Sequence, residues 1–135
     1  MTSATAAMQA RYLADAVTTV SPGQLIVMLY DRLVLDLIRA ETALRDGDRT
    51  RGAERLLHAQ EILLELRASL DVTAWSGAPG LAKLYSFLVT ELIGANVRRD
   101  PDRVARCRGL VEPLRDAWRE AVHTAQPEPV AVRVG

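Results

Sequence analysis

Two histidines, one cysteine and seventeen carboxylates are the side chains with which this 135-residue chain could do chemistry. Their spacing limits what that chemistry could be. A di-iron centre in a helical scaffold needs a Glu-x-x-His pair on each of two helices plus further inward glutamates. The chain does not meet that demand: His123 falls at a helix end, and His58 follows Glu54 by four residues, a common exposed pair on one helical turn. No metal and no other cofactor is expected. A histidine on a bundle face could instead accept a phosphoryl group. His58 is followed by Ala59-Gln60-Glu61, whereas a phosphoryl acceptor favours small and cationic neighbours, so a phosphotransfer bundle is the alternative reading. Cys107 shares an inner stripe with Val104, Leu110, Val111, Leu114 and Trp118 and reads as a small buried hydrophobe. A nucleophilic role would need an activating base that the sequence does not supply. Gln60 and Asn96 lie near apolar arcs, where a buried amide must find a partner. They either fix helix register or hydrogen-bond the main chain of a bound, partly extended ligand. Nothing in this set makes an enzyme.

The elements that must position these groups are helices. Ser21-Pro22-Gly23-Gln24 combines an N-cap serine, proline at the first helical position and glutamine at the third, which is a capping box. The helix it opens runs to about Arg45, where Asp46-Gly47 closes it. Asp48 caps a second helix that reaches Leu70, before the loop around Trp75-Ser76-Gly77-Ala78-Pro79-Gly80. A third begins at Leu81 and ends near Arg99, where paired arginines suit the negative end of its dipole. Asp100-Pro101 opens a fourth that ends near Val122, and Gly109 and Pro113 should interrupt or kink it. Four such helices joined by short turns predict an all-α, antiparallel up-and-down four-helix bundle over 21–123. Segment 1–20 precedes it, with helical potential from Met8 to Val20, and a flexible tail, 124–135, follows.

Composition narrows the class further. Hydrophobic residues make up 49% of the chain and aromatics only 4%, which favours helix over sandwich or barrel. Seventeen basic residues balance seventeen acidic ones and are interspersed with them, so neither nucleic acid nor an anionic membrane is an expected partner. A lone cysteine fits a reducing compartment. The N-terminus lacks a secretory pattern, and the longest apolar run is far short of a membrane span, so a cytosolic protein without membrane insertion is expected.

The apolar pattern exceeds what a bundle core needs. On the first helix, Ile26, Leu29, Tyr30, Leu33, Leu37, Ala40 and Leu44 form one stripe at the helical step. Val27, Val34 and Ile38 fall roughly opposite it with Met28 and Leu35 beside them, leaving Asp31, Arg32, Asp36 and Arg39 for water. The third helix repeats the excess, with Val89, Ile93 and Val97 extending a stripe of Leu81, Leu84, Tyr85, Leu88 and Leu92. Exposing such side chains forgoes roughly 1.5–3 kcal/mol each, and a contiguous apolar patch usually marks an interaction site. Val27, Met28, Val34, Leu35, Ile38, Val89 and Ile93 are therefore the candidate groove residues. The segment from Met8 to Val20, through Tyr12, Leu13, Ala16 and Val17, could fold back as a cover that a stronger helical ligand displaces.

The same residues carry a family likeness. Tyr12, Val17, Thr19 and Ser21-Pro22, running into Leu25-Ile26-Val27-Met28-Leu29-Tyr30-Asp31, resemble the signature of the FliS family of flagellar export chaperones. Gly47-Asp48, Ala59-Gln60-Glu61-Ile62, Ser69-Leu70-Asp71, Leu92-Ile93, Ala95-Asn96 and Leu114-Arg115-Asp116-Ala117-Trp118 follow in the family's order. Arg32 departs from it, standing where the family commonly has a small residue. The resemblance implies a monomeric or weakly dimeric cytosolic bundle that binds the C-terminal segment of flagellin, prevents premature polymerisation and hands the subunit to the flagellar export gate. It also implies that Tyr12 and Val17 anchor a removable cover over the groove. A plain structural bundle dimerising through the same stripe remains the other alternative to the phosphotransfer reading.

Overall fold

The structure is a computed structural model that describes residues 21–125. The proposed cover with Tyr12 and Val17, and the tail from 126 onward, lie outside the described residues. Four helices follow one another: α1 (Pro22–Arg45), α2 (Arg49–Ser69), α3 (Ala78–Arg98) and α4 (Pro101–Ala125). The capping box at the start of α1 is complete. The Ser21 amide donates to Gln24 Oε1 at 2.9 Å, and the Gln24 amide donates to Ser21 Oγ at 3.1 Å. Asp48 and Asp100 cap α2 and α4 in the same way, accepting from the amides of Arg51 and Arg103. Between α1 and α2 the chain reverses at Gly47, whose φ of 79° is the left-handed turn that glycine enters without a Cβ penalty. Arg99 makes the equivalent turn after α3 at φ 52°.

Each helix packs on two neighbours in a closed square, α1 on α2 and α4, and α3 on the same two, so α1 and α3 stand at opposite corners. Leu33, Leu37, Leu56, Leu63, Leu88, Leu92, Val104 and Val111 fill the centre. Tyr30 and Tyr85 reach across the diagonal, their hydroxyls 2.5 Å apart in the core.

Several expectations change here. Helix α3 starts three residues earlier than predicted and α4 runs through to Ala125. Helix α4 is also unbroken at Pro113. The carbonyl a proline deprives of its partner is four residues back, here that of Gly109. Gly109 and Pro113 are both exposed, so water can serve that carbonyl, and glycine leaves open space beside it. Val34, expected on an outer groove, is only 4% exposed and belongs to the core. It lies on the arc between Asp31 and Glu41, and both of those are ion-paired to α4. A helix at the corner of a square buries two flanks, not one stripe. Asp36, expected in water, is fully buried. Leu110, expected on the inner stripe, is instead exposed.

Candidate functional site

Three seams differ in chemistry, and the side chains along them define the surfaces on offer. Between α1 and α2 the seam is ionic. The Asp36 carboxylate from α1 meets His58 Nδ1 from α2 through Oδ2, while Oδ1 lies 3.6 Å from both Arg32 Nε and Arg55 Nη1. Those two distances are too long for hydrogen bonds, so Asp36 Oδ1 is buried without a hydrogen-bond partner, as is Arg55 Nε. The sequence pairing of His58 with Glu54 is replaced by this cross-helix contact. On α2, Glu54 and Glu61 share the outward arc of His58. Two carboxylates there would repel an incoming phosphoryl donor, which disfavours the phosphotransfer reading.

Between α2 and α3 the seam is apolar with two amides in it. Arg67 Nε donates to Ser86 Oγ at 2.7 Å, and Leu57 and Asn96 line one groove. Both pairings belong to antiparallel helices, α2 running down from Leu57 to Arg67 as α3 runs up from Ser86 to Asn96. Leu57, Leu64, Ile93 and Val97 are exposed along the seam, Val97 by 76%. Gln60 and Asn96 are half-buried, and neither side chain has a hydrogen-bond partner among the described residues. The seam between α3 and α4 is the sparsest. Glu91 and Arg103 pair across it, and Phe87 on α3 and Leu110 on α4 are exposed.

The seven candidate groove residues therefore divide. Met28, at 54% exposed, stands with Leu35 and Ile38 on the outward face of α1. Ile93 is exposed on α3, on the far corner of the square. Val27 and Val89 are half-buried, and Val34 is sealed. These residues do not line one groove. They mark two surfaces, and to them the structure adds Leu25 on α1 and Leu57, Leu64, Phe87 and Val97 on the other side. Leu57 and Leu64, seven residues apart on α2, are the same periodic signal that singled out α1 and α3.

No group of acidic, histidine or cysteine side chains able to hold a metal ion occurs among the described residues. Cys107 is buried, and burial with the nearby Glu91 pushes its thiol up to about 11, which keeps it protonated at neutral pH. Tyr30 and Tyr85 are both raised above the usual phenol value, chiefly by burial. No described helix is long and apolar enough to cross a membrane. What the arrangement offers is exposed apolar area on two sides of a packed core.

Comparison with known proteins decides the family. The model for "Flagellar protein FliS" matches residues 4–125. The chain belongs to the FliS family. Relatives named flagellar secretion chaperone FliS include that of Bacillus subtilis, 30% identical over 117 residues and 87% of each chain. The Salmonella typhimurium protein is 35% identical over 108 residues, 78% of this chain and 80% of its own. That of Escherichia coli is 33% identical over 110 residues, 80% and 81% of the two chains. The FliS match takes in all four helices, and its relatives carry the name of a chaperone, not of an enzyme.

Proposed function

We propose that this FliS-family chain is a flagellar secretion chaperone that holds the C-terminal segment of flagellin in the cytoplasm. Held there, the segment is kept from premature polymerisation until the subunit passes to the flagellar export gate. The observation that carries the reading is the apolar surface left over on opposite corners of the bundle. Leu25, Met28, Leu35 and Ile38 face out from α1, and Leu57, Leu64, Ile93 and Val97 flank the seam of α2 and α3. A segment that lies on both must wrap around the bundle, which a chain without fixed structure of its own does readily. Along the second surface, Gln60 and Asn96 offer amides to a ligand's main chain.

The N-terminal segment, through Tyr12 and Val17, acts as a removable cover in this reading. Deleting residues 1–17 then strengthens binding or promotes self-association through the bared face. Loss of folding on deletion would make the segment part of the core.

The direct test is co-purification of the full chain with a flagellin C-terminal peptide, followed by titration of Ile38→Asp and Ile93→Asp. Each substitution is expected to weaken binding about tenfold while circular dichroism stays unchanged. Unaltered affinity in both would remove these faces from the site.

A further inference from the structure

Where the outward stripe of α1 ends, the surface changes from apolar to basic. Ile38 forms the lip of a groove of about 500 Å³ along the seam of α1 and α2, which is lined further on by Arg39, Arg51 and Arg55 with Asp46 and Asp48. Neither Arg39 nor Arg51 makes a side-chain ion pair among the described residues. Arg39 comes to the groove from α1 and Arg51 and Arg55 come from α2, so cations line it from both helices. Arg55 Nε is buried and unpartnered. The carboxylates present leave Arg39 and Arg51 unmatched. Asp48 accepts the Arg51 amide as the cap of α2, Asp46 lies at the end of α1, and Asp36 is already shared among Arg55, His58 and Arg32.

Opposed guanidinium groups with spare N–H donors form a fork that fits a carboxylate. A helix laid over Met28, Leu35 and Ile38 would bring one of its ends to this place. The end that suits cations is the C-terminus, which carries the negative pole of the helix dipole and, at a chain end, the α-carboxylate.

We propose that this groove receives the terminal α-carboxylate of the bound partner segment, so that the segment runs parallel to α1 with its last turn at Ile38. The proposal rests on the chaperone reading above and adds to it a direction and an anion site.

Its test is a binding titration of the full chain with a flagellin C-terminal peptide made as the free acid and as the C-terminal amide. Amidation is expected to weaken binding about tenfold or more, and the free acid should lose affinity as salt is raised. In the Arg39→Gln/Arg51→Gln variant, the acid should bind as weakly as the amide, whose own affinity is unchanged. Equal binding of acid and amide by the unaltered chain overturns the anion site while leaving the chaperone reading intact. A penalty for amidation that persists in the variant places the carboxylate elsewhere and also overturns it. If neither form binds, the chaperone reading itself fails, and the anion site with it.

Discussion

Helix α2 meets α1 through charge and α3 through carbon, and the two seams answer differently to the same problem of closing a bundle. On the α1 side, Asp36 is sealed among His58, Arg55 and Arg32. A buried carboxylate is tolerated only while its cations stay in place. On the α3 side, Leu57, Leu64, Ile93 and Val97 remain half-exposed or more, although burying them would stabilise the fold. The first seam specifies how the helices pair. The second leaves apolar area outside the core, which the proposed chaperone reading assigns to a partner. Stability and binding should therefore separate between them.

The largest expected effect is on the ionic seam. Asp36→Ala leaves the partly buried Arg55 with no counter-charge, and it should cost roughly 3 kcal/mol in urea denaturation. Asp36→Leu combined with Arg55→Leu should recover much of that, since the least exposed cation of the seam then leaves together with the carboxylate. If Asp36→Ala unfolds at the same denaturant concentration as the parent, the seam is not held by charge and the contrast with α3 disappears.

This seam is also where sequence and structure part. The cap at Ser21, the turn at Gly47 and the starts of α2 and α4 are local events, written in adjacent residues, and they stand as expected. Asp36 is different. Its periodic position puts it beside charged neighbours, and only the arrival of His58 and Arg55 from another helix makes its burial tolerable. Val34 was hidden for a related reason. One helical step of about 100° carries it off the stripe of Leu33 and Leu37, yet α4 covers that flank as well. Periodicity within one helix reports an apolar face, not how many neighbours will share it. The excess of apolar surface was legible in the sequence, but its partition into two surfaces depends on α1 and α3 taking opposite corners.

A smaller effect is expected from the contact that joins the helices on either side of α2. Tyr30 and Tyr85 share one hydrogen bond in the core, so Tyr30→Phe strands the Tyr85 hydroxyl and should cost about 1–3 kcal/mol, while Tyr30→Phe/Tyr85→Phe costs less than the single change. The pH dependence has a definite sign. Both phenols are raised above their ordinary 10.0 in the fold, so the unfolded chain loses its protons first. Stability from this pair is full below about pH 10 and declines above it, by up to about 1.4 kcal/mol per pH unit for each group. Cys107, at about 11 against an ordinary 9.0, contributes an earlier decline between those values. The double phenylalanine variant in a Cys107→Ala background should flatten the alkaline limb of a stability profile, and an unchanged limb would place the titrating groups elsewhere.

The smallest effect on folding should come from the apolar seam, and that makes it the sharpest test of the contrast. Leu64 is about half exposed, so truncating it opens no cavity in the core. Leu64→Ala should change the unfolding free energy by no more than about 0.5 kcal/mol, the ordinary range for surface positions. If this area is kept for a partner, the same truncation removes contacts from the complex, and a flagellin C-terminal peptide should bind several-fold more weakly. Leu64→Ala with Ile93→Ala should lower affinity further without lowering the melting temperature in step. A combined variant that loses stability but keeps its affinity would reverse the assignment. The α2–α3 seam would then be part of the fold's own support, and the ligand would rest on α1 alone.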